Sequence, residues 1–100
     1  MWLLIDDIRD LNCEVIARTP EAGMHLLRTT IWECLCLDHD LGAEKSGYDV
    51  LKWAFAAGFV PDKVQLVTSN QVGRENMKNV LLDNGYLTKD NINFTKEIRK

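Results

Sequence analysis

Glu33-Cys34-Leu35-Cys36-Leu37-Asp38-His39-Asp40-Leu41-Gly42 decides how this chain is read. Glu33 to Leu37 is a short apolar run free of Gly and Pro, the character of a buried strand, and it runs directly into two carboxylates flanking an imidazole. In an open parallel sheet, ligands bind outside the carboxyl ends of the strands, so polar residues collect there. The same pattern recurs on either side. Trp2 to Ile5 ends in Asp6-Asp7, and Val64 to Val67 ends in Thr68-Ser69-Asn70. Glu14 to Arg18 is a further strand, and Ile92 to Thr95 a weaker one.

Helical patterns separate these runs. Thr19 as N-cap and Pro20 at the first helical position open a helix whose residues Ala22, Met24, Leu26 and Leu27 are expected to face inward. Ser46 and Asp49 have capping-box spacing, and the helix they open continues through Val50, Leu51, Trp53, Ala54 and Phe55 until Gly58 and Pro61 stop it. A third helix over 72–82 ends at Asn84-Gly85. Alternation of this kind predicts an α/β fold with right-handed crossovers, a mainly parallel sheet of about five strands in the flavodoxin-like order 2-1-3-4-5. The stretch from Asp6 to Cys13 is too short for a crossover helix, and nothing follows the fifth strand. The fold is therefore expected in reduced form, with its first and last helices missing from the same face. That would leave Trp2 or Leu3, Cys34 or Leu35, and Ile92 or Phe94 uncovered, and a homodimer or protein partner is expected there. Glu14, Arg18, Gln65, Asn93 and Thr95 are polar members of the same strands and would soften that face.

One hundred residues hold one core and not two, so residues 1–100 are read as a single domain. With 46% hydrophobic and 27% charged residues, the chain lies far from the composition of disordered proteins. Its net charge of −3, with basic residues scattered except at Lys96, Arg99 and Lys100, excludes sequence-independent binding of long nucleic acid. Met-Trp-Leu-Leu-Ile-Asp-Asp has no basic n-region and meets carboxylates too early for a signal peptide or membrane span, so a cytoplasmic location is expected. Cys13, Cys34 and Cys36 lack metal or redox spacing and are read as reduced core thiols.

Asp6, Asp7, Asp38 and Asp40 would gather at one sheet edge. Carboxylates brought together repel, which raises their pKa values or recruits a cation, and hard oxygen ligands suit Mg²⁺ or Mn²⁺. Thr68, Ser69 and Asn70 offer hydroxyls and an amide to phosphoryl oxygens. Arg74, one turn into the third helix, offers a bidentate contact, and the helix N-terminus adds partial positive charge. The plain alternative is that Asp, Ser, Thr and Asn cap helices and shape turns at strand ends. His39 is open between tuned base, metal ligand and structural imidazole. His25, on a helix, is read as a packing or surface residue.

Ile5-Asp6-Asp7-Ile8-Arg9, Leu37-Asp38-His39-Asp40-Leu41-Gly42, Gly47-Tyr48-Asp49-Val50 and Ser69-Asn70-Gln71-Val72-Gly73-Arg74-Glu75-Asn76-Met77 resemble the motifs of the cyclic-phosphate-processing receiver-like family, a divergent branch of the receiver domains of response regulators. The resemblance covers nearly the whole chain and implies a site for cyclic phosphates, such as a cyclic nucleotide or an RNA 2′,3′-cyclic phosphate. It implies a metal set of Asp6, Asp7 and Asp38 holding Mg²⁺ or Mn²⁺. Catalytic roles would fall to Asp38, His39 and Asp40, and substrate contacts to Arg9, Thr68, Ser69, Asn70 and Arg74. The activity implied is that of a metal-dependent cyclic phosphodiesterase or phosphatase-like enzyme in RNA end processing. The family pattern has His followed by Ser at the end of strand four, where this chain has Val67-Thr68, and the receiver lysine would fall at Lys96. The valine keeps a second reading in view, a non-catalytic nucleotide- or protein-binding module such as an inhibitor or sponge. A true phospho-receiver fits less well, because the last strand-helix surface through which receivers signal is absent.

Overall fold

The computed structural model describes residues 1–97, in the order β1 (Trp2–Ile5), β2 (Val15–Ala17), α1 (Pro20–Thr29), β3 (Cys34–Leu37), α2 (Gly47–Ala57), β4 (Lys63–Leu66), α3 (Gln71–Asp83), β5 (Tyr86–Thr88) and β6 (Asn93–Lys96). Arg99 and Lys100 of the basic cluster lie outside the described residues. The strands form one sheet in the order β2-β1-β3-β4-β6-β5. β1 pairs in parallel with both β2 and β3, and β3 with β4, which gives the expected 2-1-3-4 core of the sheet.

The far edge departs from a parallel fifth strand. Tyr86-Leu87-Thr88, too short to be read as a strand, forms β5, and β6 pairs antiparallel with β4 on one side and with β5 on the other. The crossover through α3 thus lands β5 one position further out, and the returning arm of the hairpin fills the gap. A hairpin reverses the chain in a short turn, whereas a parallel neighbour for β5 would require another crossover. Lys96 consequently pairs with Tyr86, and its amide donates to the Asp62 carbonyl at 2.8 Å, beside the start of β4. It stands at the opposite end of the sheet from the acidic strand ends and cannot serve as the receiver lysine.

Three helices are present among the described residues, all on one face. Leu3, Ile5, Leu35, Leu37, Val64, Leu66 and Phe94 pack there against Leu27 of α1, Val50, Leu51 and Ala54 of α2, and Met77 and Leu81 of α3. The capping signals appear as read. Thr19 Oγ1 accepts from the Ala22 amide at 3.1 Å, the Ser46–Asp49 box is closed from both sides, and Gly58 ends α2 in the left-handed region at φ +82°. The inward side of α1 differs by one position, because Gly23 is buried and Ala22 exposed. A Cβ on Gly23 would stand 2.5 Å from Ile5 Cδ1, so only glycine lets α1 approach β1 this closely.

On the other face no helix among the described residues covers the sheet, and Cys13 of the β1–β2 loop packs onto it. Leu4, Cys34 and Cys36 are buried there under Trp2, Cys13, Ile16 and Val67, while Leu3, Leu35 and Phe94 lie beneath the helices. Polar contacts close much of this surface. The Trp2 indole donates to Glu33 at 2.7 Å and Gln65 Nε2 to Asn93 Oδ1 at 3.1 Å. The cysteines are all free, with Cys13 Sγ 3.8 Å from Cys36 Sγ. Burial raises the Cys13 thiol pKa, and the neighbouring Cys34 together with burial raises that of Cys36.

Candidate functional site

The carboxyl ends of β1, β3 and β4 open together, and each strand delivers its first polar residue into or beneath the same depression. Asp6 follows β1 and is fully buried. Its Oδ1 accepts from the amides of Ile8 and Arg9, both at 3.0 Å, and this side-chain turn folds the β1–β2 loop back over the strand end. Its Oδ2 takes the Arg9 guanidinium at 3.0 Å, and the same nitrogen, Nη1, lies 3.3 Å from Asp38 Oδ2. Asp38, 5% exposed, follows β3 and receives its neighbour's amide, His39 N–H, on Oδ1 at 2.8 Å.

Asp7 and Asp40 complete the rim. Gly42 lies against Asp7, since a Cβ there would meet Asp7 Oδ2 at 2.8 Å, and its φ of +61° also favours glycine. One oxygen each of Asp6, Asp7 and Asp38 lies within 4.8 Å of the others. This all-oxygen, carboxylate-only set fits a hard divalent cation such as Mg²⁺ or Mn²⁺.

Behind the rim, Asn70 organises the β4–α3 junction. Its Oδ1 caps α3 by accepting from Gly73 N–H at 2.9 Å, and its Nδ2 reaches Asp40 Oδ1 at 3.2 Å. Thr68, buried, accepts the Asn70 amide at 3.1 Å. His39 Nδ1 lies 3.0 Å from Asp40 Oδ1, and its ring rests on the first turn of α3, where a Cβ on Gly73 would stand 2.3 Å from His39 Cγ.

The resulting pocket has a volume of about 340 Å³ and is lined by Asp6, Asp7, Ile8, Arg9, Asp38, Asp40 and Ser69. The fold therefore gathers six of the residues expected from the sequence into one wall. Thr68, Asn70 and His39 do not line it and act from behind. Arg74 is directed elsewhere: its Nη2 donates to the Thr68 carbonyl, and its Nε is buried without a partner among the described residues. Val67, where the resemblance implies a histidine, packs toward Leu4 and Cys36 on the sheet's open side and does not line the pocket. Ile8 was assigned no role from the sequence. It is 78% exposed and forms an apolar ledge at the pocket mouth. An isoleucine inside the polar loop Asp6-Asp7-Ile8-Arg9-Asp10 is the signal that marks it. A larger groove of about 520 Å³ follows the β5–β6 hairpin, but its one carboxylate, Asp90, is consumed by the amides of Ile92 and Asn93.

Electrostatically the pocket is acidic, with four carboxylates against one guanidinium. Burial opposes the charge on Asp6, but hydrogen bonds from the Ile8 and Arg9 amides and from the Arg9 side chain prevail and hold its pKa below the usual carboxylate value. Its hydrogen bond to Asp6 correspondingly raises the pKa of Arg9. Asp40 is also lowered, by His39 and Asn70. A depressed folded-state pKa gives stability that is full above the unfolded value of about 3.9 and is lost as pH falls through the folded one. The thermal midpoint is therefore expected to drop on acidification below about pH 4. Asp6→Asn should flatten that part of the profile. A variant as acid-sensitive as the parent would place the responsible carboxylates elsewhere.

Parallel strands in 2-1-3-4 order, carboxylates after the first and third, and a buried hydroxyl after the fourth define a receiver-type α/β domain, here with three helices among the described residues. The chain belongs to the cyclic-phosphate processing receiver domain family, which matches residues 1–83. The hairpin β5–β6 lies beyond that match. Among solved structures, the signal receiver domain assigned to a Luxo repressor protein of Vibrio parahaemolyticus superposes with a TM-score of 0.60 at 19% identity, covering 82% of this chain and 69% of that one. That likeness is one of fold. No curated protein matches the chain. No helix among the described residues is long and apolar enough to cross a membrane.

Proposed function

We propose that the pocket binds a cyclic phosphodiester, a cyclic nucleotide or an RNA 2′,3′-cyclic phosphate, and opens it by metal-assisted hydrolysis. The observation that carries this reading is the convergence of Asp6, Asp7, Asp38 and Arg9 on a cavity of about 340 Å³, large enough for the phosphate and part of a sugar. A divalent ion held by Asp6, Asp7 and Asp38 would supply Lewis-acid stabilisation of charge developing on the phosphoryl oxygens. Arg9 pairs with a non-bridging oxygen. Asp40, oriented by Asn70 and backed by His39, accepts the proton of the attacking water. The water oxygen then bonds to phosphorus, one ester P–O bond breaks, and the leaving sugar oxygen takes up the proton that Asp40 received. Ile8 offers its apolar ledge to the sugar or base.

Val67 supports a second reading, in which the pocket holds the phosphodiester without cleaving it, as a sponge or inhibitor would. Its side chain leaves the strand-four end without a titratable group, although position 67 faces away from the pocket. Incubating the purified protein with 2′,3′-cyclic and 3′,5′-cyclic nucleotides and their linear counterparts, with and without Mg²⁺, separates the readings. Mg²⁺-dependent conversion to a linear monophosphate is expected. Binding without product selects the sponge, and neither binding nor product removes the pocket from consideration.

Asn70→Ala removes the α3 cap and the support of Asp40 together, and is expected to weaken nucleotide binding by about 1.5 to 3 kcal/mol, the range for hydrogen bonds to charged groups. Arg74→Ala should weaken it less, because Arg74 acts on the Thr68 carbonyl and not on the pocket. Calorimetry on both variants checks the order, and an equal or larger loss in Arg74→Ala would bring that side chain back to the phosphate.

A further inference from the structure

Arg9 occupies the place where positive charge is most needed. Asp6 and Asp38 are the most buried carboxylates of the site, and one nitrogen of Arg9 spans both, 3.0 Å from Asp6 Oδ2 and 3.3 Å from Asp38 Oδ2. Asp6, Asp7 and Asp38, with oxygens within 4.8 Å, repel one another unless a cation lies among them. Arg9 brings one unit of charge and a divalent ion brings two, and both require the same carboxylates. Lysine from the strand-five side does not intervene, since Lys96 is at the other end of the sheet.

The loop is built so that this guanidinium can leave without disturbing its own backbone. The Arg9 amide donates to Asp6 Oδ1, and its carbonyl accepts from Arg18 Nη1 at 2.7 Å, so both backbone groups are anchored independently of the side chain. Arg18 is itself paired with Asp10. The Arg9 side chain is 37% exposed at the pocket wall, and both carboxylate contacts use Nη1, which leaves the other donors of the fork without a partner among the described residues. A planar guanidinium with free donors matches the two non-bridging oxygens of a phosphodiester.

We propose that Arg9 is a resident counter-cation that a divalent ion displaces from Asp6 and Asp38, and that the displaced guanidinium then binds the phosphodiester, so that metal and phosphate bind in order and are coupled through this one side chain. The inference rests on the reading of Asp6, Asp7 and Asp38 as the ion's ligands. It gives Arg9 effects of opposite sign on the two ligands. Calorimetric titration with Mn²⁺ alone, and then with 2′,3′-cyclic AMP at saturating Mn²⁺, compares the wild type with Arg9→Gln. Removing a competing positive charge a few ångströms from the ion should tighten Mn²⁺ binding about tenfold, and losing the charged fork should weaken the cyclic nucleotide about tenfold. Mn²⁺ affinity that is equal or lower in Arg9→Gln overturns the proposal, as does an unchanged nucleotide affinity. If neither protein takes up Mn²⁺, the reading of the carboxylates as ligands falls and the proposal with it. Uptake of equal strength by both overturns the role of Arg9 alone. The wild type carries the test without any substitution as well: its Arg9 Nε–H resonance should shift in step with Mg²⁺ uptake, and a resonance that stays in place at saturating Mg²⁺ overturns the displacement.

Discussion

Gly47→Ala should cost about 3 kcal/mol or more, the upper part of the range for overpacking, because the added methyl meets backbone and not a side chain that can rotate away. A Cβ at position 47 would lie 1.9 Å from the Asp38 carbonyl oxygen and 3.1 Å from His39 Cα. The Gly47 amide also donates to the His39 carbonyl at 2.8 Å, which locks the first turn of α2 against the end of β3. Any relief must move the segment that carries Asp38, His39 and Asp40. Stability and pocket geometry should therefore fail together. Gly58→Ala is the control: among the described residues nothing lies within 4 Å of its would-be Cβ, and only its left-handed φ of +82° is penalised, at about 1 to 2 kcal/mol. Urea unfolding of both variants decides the matter. A Gly47→Ala midpoint no lower than that of Gly58→Ala would mean that the junction is free to shift.

The parts of the fold that were legible are those whose cause is local. Thr19-Pro20, Ser46 with Asp49, and Asn84-Gly85 announce helix ends through hydrogen bonds and φ values set within a few residues, and each stands where the sequence puts it. The misread positions depend on distant partners. Ala22 is expected inward from the sequence, but Gly23 takes that place because Ile5 of β1 occupies the space of its missing methyl. Tyr86-Leu87-Thr88 is too brief to declare itself a strand. It is one because β6 lies beside it, and because Tyr86 is held by its hydroxyl on the Pro61 carbonyl at 2.6 Å and by its ring edge-on to Phe55.

The candidate site divides along the same line. Carboxylates at strand ends are forced into one depression by parallel pairing, so Asp6, Asp7, Asp38 and Asp40 could be placed together from sequence. Arg74 could not. Side chains on a helix lean toward its N-terminus, and from the first turn of α3 this one reaches back to the Thr68 carbonyl at the strand end before it reaches the pocket. The link between Arg9 and both Asp6 and Asp38 was also out of reach, because it depends on the turn that Asp6 Oδ1 imposes on the Ile8 and Arg9 amides.

Asp38→Asn separates the metal reading of this cluster from the capping one. Asparagine keeps a side-chain oxygen for the His39 amide, which Asp38 Oδ1 accepts at 2.8 Å, so the local turn should survive. What disappears is one negative charge from a set of three whose oxygens lie within 4.8 Å. Without divalent ions the substitution relieves repulsion at the expense of a 3.3 Å contact to Arg9, and the thermal midpoint in chelator is expected to hold or rise. With ions the balance reverses. Loss of groups that merely orient metal ligands lowers affinity about 10- to 100-fold, so removing a charged ligand itself should cost at least about 100-fold. Mn²⁺ should accordingly raise the midpoint of the wild type and leave that of Asp38→Asn nearly unmoved. Thermal scans of both proteins in chelator and in millimolar Mn²⁺ provide the measurement. A variant that loses stability in chelator yet is raised by Mn²⁺ as much as the wild type would make Asp38 a structural cap and would remove it from the ion's ligands.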